Sequence, residues 1–138
     1  MTAERKTKIV ILDDEPMIVL ITAKILRDEF TDSVDVKTTT EPEYAQQLVN
    51  ESQCDILVSD IEMPNASGLD MLRYTRASSA WTRVIMMTGH STRDHLDEAL
   101  KGGAADFLIK PLDRDQLVRV VQQEHERVRR WDRSTDLC

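Results

Sequence analysis

Cysteine, glycine, proline and positive charge are all in short supply in this chain, and each shortage removes a class of protein. The two cysteines, Cys54 and Cys138, follow no metal-ligand spacing, and a reducing cytoplasm suits them best. Cys54 lies beside an apolar run and reads as a buried thiol; Cys138 is the last residue and reads as mobile. With four glycines and four prolines there is no low-complexity tract, repeat or internal linker. Lys and Arg total 18 against 25 Asp and Glu, and the resulting net charge of −7 argues against direct nucleic-acid binding, which needs clustered cations. No apolar run approaches the ~20 residues of a membrane span. The polar start, residues 1–8, lacks the apolar stretch of a signal peptide. What is present is ordinary: 138 residues, 41% hydrophobic, enough for one domain that buries about two thirds of its unfolded surface.

Two periodicities alternate along the chain. Residues 8–12 form a short continuous apolar run, as in a strand covered on both faces. Pro16 opens a helical pattern through Ile18, Ile21, Ala23, Ile25 and Leu26 that ends near Phe30. Residues 34–38 alternate as in a strand nearer the sheet edge. Glu41-Pro42 starts a helix, because proline's missing N–H has no helical partner in the first turn. Strand 55–59, loop 62–68, helix 69–77, strand 83–88, helix 92–101, a left-handed stop at Gly102-Gly103, strand 105–109 and a last helix capped by Asp113 and running to about Arg130 complete the pattern. Five strands alternating with five helices predict an α/β fold with a doubly wound parallel sheet and helices on both faces. The expected domain covers residues 8–128, with a polar arm at 1–7 and a helical extension or tail at 129–138.

Charged and hydroxyl groups stand where the apolar runs stop: Asp13-Asp14, Asp60, Thr88 and Lys110. In a parallel sheet these strand ends share one edge, and ligands bind just outside it. Three carboxylates gathered there repel by roughly 4 kcal/mol per pair at 4 Å with an effective dielectric near 20, so they hold either protons or a cation. Asp60 is the candidate nucleophile, able to accept a phosphoryl group as an aspartyl-phosphate. Phosphoryl transfer chiefly needs positioning and charge neutralisation. Asp14, with Asp13 behind it, could hold Mg2+ (Mn2+ as a substitute), a loop carbonyl at Glu62 could complete the shell, Lys110 could pair with a phosphoryl oxygen, and Thr88 could donate its hydroxyl to another. Each alone could equally be a turn former or helix cap.

The strings Val10-Ile11-Leu12-Asp13-Asp14-Glu15-Pro16, Ser59-Asp60-Ile61-Glu62-Met63-Pro64-Asn65-Ala66-Ser67-Gly68, Met87-Thr88-Gly89 and Gly103-Ala104-Ala105-Asp106-Phe107-Leu108-Ile109-Lys110-Pro111 occur in that order. With them the chain resembles the receiver domain of two-component response regulators, chemotaxis-regulator-like, over residues 8–128. The resemblance implies strand order 2-1-3-4-5, Asp60 as phosphoacceptor, Asp14 as direct and Asp13 as outer metal ligand, and Thr88 and Lys110 as phosphoryl-binding groups. It implies a cis Lys110-Pro111 bond that aims Lys110 into the pocket. Phe107 occupies the place of the family's rotating aromatic, switching with Thr88, without the hydroxyl that tyrosine would bring. Gly89 stands where alanine is commoner and leaves the pocket more open.

Glu62 and His90 stand two residues beyond Asp60 and Thr88, beside the route of attacking water in the family. They are expected to pair over the pocket mouth and set the phosphoryl lifetime. His95 and His125 are expected on the surface. Leu117, Val121, Val128 and Trp131 form a stripe on the last helix, interrupted by Glu124; Val128 and Trp131 are expected beyond the domain, where they could join two copies or lead into an output module. The expected function is a cytoplasmic phosphorylation switch. A histidine kinase, a phosphotransfer protein or a small phosphodonor would load Asp60, and the face at 91–101, 105–107 and 113–127 would change population. Its only catalysis would be its own phosphorylation and dephosphorylation. Two rivals stand beside it: a phosphorylation-independent interaction module of the same fold, and a phosphohydrolase with Asp60 as nucleophile and Glu62 as acid/base.

Overall fold

The computed structural model describes residues 5–64, 66–89 and 93–136. Five parallel strands, β1 (Thr7–Leu12), β2 (Val34–Thr39), β3 (Ile56–Asp60), β4 (Arg83–Thr88) and β5 (Asp106–Ile109), form one sheet in the order β2-β1-β3-β4-β5. The helices between them are α1 (Pro16–Phe30), α2 (Pro42–Asn50), α3 (Gly68–Ser78), α4 (Arg93–Lys101) and α5 (Arg114–Asp136). This is the doubly wound fold with the expected strand order.

Side chains on a strand alternate between faces, so each strand feeds two cores. Ile9, Ile11, Ile56, Val58, Ile85 and Met87 pack under α1 and α5. Val10, Leu12, Leu57, Val84 and Met86 pack under α2, α3 and Ala99 of α4. The central strands are inaccessible on both sides, which is why they read as continuous apolar runs. Truncating one of these side chains to alanine costs about 2–5 kcal/mol.

Proline starts α1 and α2 at their first turns. Ser67 caps α3, its hydroxyl accepting the Leu69 N–H at 3.1 Å. Gly103, at φ +95°, supplies the left-handed stop after α4, and Asp113 caps α5 by accepting the Asp115 N–H at 2.9 Å. Thr92, expected to open α4, lies outside the described residues. The segment read as loop carries a two-residue antiparallel ribbon, Glu62–Met63 against Ala66–Ser67. Strands that short have no periodicity to read.

The last helix departs most from expectation. It continues to Asp136, and Val128, expected beyond the domain, is 7% exposed within the α1/α5 core. Glu124, which seemed to break the stripe, is buried and accepts Arg83 Nε at 2.8 Å. His125 is not a surface residue: it is 5% exposed, its Nδ1 lies 2.8 Å from Thr7 Oγ1, and its ring meets Phe30 edge-on at 5.6 Å. Steps of four from Leu117 and Val121 lead straight to it, so it shares their buried face. His95 is half-buried.

Burial pushes the His125 imidazole below its ordinary value, against a smaller opposing pull from Glu126. The unfolded chain takes up a proton near pH 6.5 while the folded chain resists, so folding stability falls as pH drops below that point. Urea midpoints measured from about pH 7 down to about pH 5 should decline less steeply in His125→Gln than in the wild type; parallel slopes would refute this.

Candidate functional site

Strand register brings the site together. Leu12 pairs with Ser59, Asp60 with Met87 and Thr88 with Ile109, so the residues that follow emerge at one edge. Asp13 is fully buried; its Oδ1 accepts the Glu15 N–H at 2.9 Å, and its Oδ2 lies 2.7 Å from Lys110 Nζ. The same ammonium is 3.3 Å from Asp60 Oδ2 and 4.0 Å from Glu15 Oε1. Asp60 is 2% exposed, and its Oδ1 accepts the Glu62 N–H at 3.2 Å. The Lys110-Pro111 peptide is cis, and the Lys110 amide donates to Thr88 O at 2.8 Å.

Electrostatics follow from this packing. Burial, and then the charge of Asp13, push the Asp60 carboxyl up to about 7, with Lys110 pulling the other way. Burial alone would lower Lys110; Asp13 and Asp60 outweigh it and hold the ammonium above its ordinary value. One ammonium serves two buried carboxylates, so the edge has a deficit of positive charge.

Carboxylate oxygens of Asp13, Asp14 and Glu15 come within 4.8 Å of one another. Asp13 Oδ2, buried, has the Lys110 ion pair but no well-directed hydrogen bond. An all-oxygen donor set with an under-satisfied buried carboxylate fits a hard divalent cation. Glu15 was missed as a member of this cluster, although it directly follows the acidic pair.

Thr88 is buried, and its hydroxyl donates to Glu62 Oε1 at 2.5 Å; the Gly89 amide donates to Oε2 at 3.2 Å. The Glu62 carboxylate therefore sits on the Thr88 hydroxyl that sequence reasoning reserved for a phosphoryl oxygen, and on the Gly89 amide beside it. His90, its expected partner, lies outside the described residues. Phe107 is half-buried against the α2/α3 core. A Cβ on Gly89 would meet nothing within 4 Å among the described residues. Gly68, by contrast, lies against the backbone of Asp60: a Cβ there would fall 2.1 Å from the Asp60 carbonyl oxygen. The glycine ending the D-x-x-M-P-x-x-x-G stretch was the visible signal for that contact.

The model of the response regulator receiver domain matches residues 9–122. The chain belongs to this family. Phosphorylation-dependent signalling in two-component systems is the family's general function, and its receiver domains generally use Mg2+. Alginate biosynthesis transcriptional regulatory protein AlgB of Pseudomonas aeruginosa is 33% identical over 116 residues, which are 84% of this chain and 25% of AlgB. The chain thus spans about a quarter of the length of the AlgB relatives it matches. Among solved structures, the signal receiver domain of a Luxo repressor protein from Vibrio parahaemolyticus superposes with a TM-score of 0.84 at 23% identity, covering 93% of this chain and 96% of that one. NtrX from Brucella abortus gives 0.82 at 26% identity, covering 97% of this receiver and 30% of NtrX.

Proposed function

We propose that Asp60 is the phosphoacceptor of this receiver, loaded by a histidine kinase, a phosphotransfer protein or a small phosphodonor. The observation that carries the reading is the Lys110 ammonium standing 2.7 Å from Asp13 and 3.3 Å from Asp60 at the edge where the strands end. An Asp60 carboxylate oxygen attacks phosphorus; the new P–O bond forms as the bond to the donor breaks, and the donor leaves with that electron pair. Lys110 stays beside Asp60 and neutralises phosphoryl charge. Asp13, Asp14, Asp60 and the Glu62 main-chain carbonyl would hold Mg2+, with Mn2+ as a substitute. The bound ion would supply the positive charge that the carboxylates lack. Thr88 would turn its hydroxyl to a phosphoryl oxygen once Glu62 releases it, and Phe107 would follow.

Intact mass after incubation with acetyl phosphate tests this. The wild type should gain one phosphoryl group with Mg2+ and none with a chelator; no gain in either, with the fold intact, would favour the phosphorylation-independent module. The phosphohydrolase reading loses support because its acid/base, Glu62, is engaged by Thr88 and Gly89.

Glu62 competes with the phosphoryl group for those donors. Removing it should raise the phosphorylated fraction, by on the order of tenfold in the equilibrium for one charge-assisted hydrogen bond. Glu62→Ala and wild type compared at equal acetyl phosphate would show it, and equal fractions would count against the competition. His90→Ala, followed through the decay of the phosphorylated mass, tests whether His90 also sets the lifetime.

Exposed Met17, Leu20 and Ile21 make an apolar stripe on α1, the helix that follows the acidic cluster. Its composition suits a docking kinase or phosphotransfer protein. Leu100 and Ile109 are exposed on the α4–β5–α5 side, the proposed switching surface toward an output module or a second copy. Among the described residues no helix is long and apolar enough to cross a membrane, and Cys54 is a buried free thiol.

A further inference from the structure

The chain has two tryptophans, and they lie together at the end of the sheet remote from Asp60. Trp81 precedes β4 and Trp131 lies on α5; they are 63% and 54% exposed, and their rings meet edge-on at 5.2 Å. Exposed tryptophan is unusual, and an exposed pair more so. Beside them is a cavity of about 350 Å3 whose walls include Arg83, Arg127 and Val128. That volume is at the lower end of small-molecule sites. A protein partner would more simply meet a flat patch; a concave one with two indoles suits a single ring system.

The charges lining the cleft differ in how firmly they are held. Arg5 is committed to Asp55 at 2.8 and 3.1 Å and to Asp132 at 2.9 Å. Arg83 is committed to Glu124 Oε1 at 2.8 Å. Arg127 lies 4.0 Å from that same oxygen, so it is the loosely held cation of the wall. Close to Arg83, Arg76 has Nε and Nη2 buried with no hydrogen-bond partner among the described residues. Three guanidiniums and two carboxylates thus line the cleft, on a chain whose net charge is −7.

We propose that this cleft binds a planar aromatic ligand bearing an acidic group, its ring against Trp81 and Trp131 and its acid on Arg127. Indole faces and edges accept an aromatic ring in offset or T-shaped contact, and a guanidinium takes a carboxylate or phosphate in a fork. Asp55, on the cleft wall, is five residues before Asp60 along the strand, about 17 Å at 3.3 Å per residue, so an occupant leaves the phosphorylation edge uncovered.

Two indole N–H signals in a proton–nitrogen spectrum report on the cleft directly, and Trp81→Phe assigns them. The full chain would be titrated with guanosine monophosphate and with indole-3-acetate, and separately with guanosine and inorganic phosphate. Both indole signals should shift saturably with at least one acid-bearing aromatic, with a dissociation constant below about 1 mM. Inorganic phosphate alone should leave them in place. Arg127→Gln should weaken the acid-bearing probe about tenfold, the loss of one charge-assisted hydrogen bond, and leave guanosine unchanged. Failure of both acid-bearing probes, or equal binding by Arg127→Gln, overturns the proposal. So does concentration-dependent self-association that is lost in Trp81→Ala without any probe binding, which would make the cleft a protein interface.

Discussion

Asp60→Asn should take up no phosphoryl group under conditions that load the wild type. Asparagine keeps the shape and one carbonyl oxygen, so the change removes the proposed nucleophile with little disturbance of the strand end. Its effect on stability should run opposite to that of most buried substitutions. The folded carboxyl sits near 7, above its value of 3.8 in the unfolded chain. Between those values the folded state binds more protons than the unfolded one, so stability falls as pH rises through the window. Above it the wild type bears the cost of a buried charge facing Asp13, and asparagine does not. Without divalent cation at about pH 8, the variant should therefore be more stable, by about 1–3 kcal/mol, and the difference should shrink toward about pH 4. Lys110 keeps a partner in Asp13 either way. Intact mass and urea denaturation read the two effects separately. A phosphoryl group on the variant would place the acceptor elsewhere; a variant less stable than wild type at high pH would mean that the Lys110 pair outweighs the repulsion.

Gly68→Ala should damage both fold and site. The new Cβ would lie 2.1 Å from the Asp60 carbonyl oxygen, 2.6 Å from Ile61 Cα and 2.8 Å from the Asp60 carbonyl carbon. All three are backbone atoms, so no rotamer change relieves the overlap; β3 or the start of α3 must move. Overpacking against side chains commonly costs about 1–3 kcal/mol, and an unyielding backbone puts this substitution at the top of that range or above it. Because the displaced backbone carries Asp60, phosphorylation should slow by roughly 100-fold, as misplacement of a reacting group by about 1 Å does. Gly89→Ala is the matched control: its Cβ meets nothing among the described residues, and stability should stay within about 0.5 kcal/mol. If the two alanine variants melt alike and load alike, the close packing of Gly68 on Asp60 is not what holds the acceptor in place.

Much of this molecule was legible before any coordinates. Apolar runs of four to six residues bounded by turn formers identify buried parallel strands, because only a strand covered on both faces is apolar at every position. The ends of those runs then name Asp13, Asp14, Asp60, Thr88 and Lys110, because parallel strands expose all their C-terminal ends on one edge. Local rules also identify Pro16, Pro42, Asp113 and Gly103 as helix boundaries, since capping and handedness depend on neighbours in the chain.

Other features depended on tertiary structure. Glu62 turns to Thr88 across 26 residues, Arg83 reaches Glu124 across 41, His125 meets Thr7 across 118, and Arg5 joins Asp132 across 127. Periodicity reports which face of its own element a residue occupies; it carries no information about what stands opposite. His125 and Glu124 were misread for that reason, since a polar residue on an apolar stripe breaks the pattern unless a distant partner satisfies it. The same holds for the tryptophan cleft, which exists only because α5 returns beside the turn before β4. Composition and period determined the fold class and the edge where the acidic residues, Thr88 and Lys110 gather. The crossing of elements decided which donors Glu62 covers, which glycine touches Asp60, and where the tryptophan cleft lies, because those are contacts between surfaces the chain brings together only on folding.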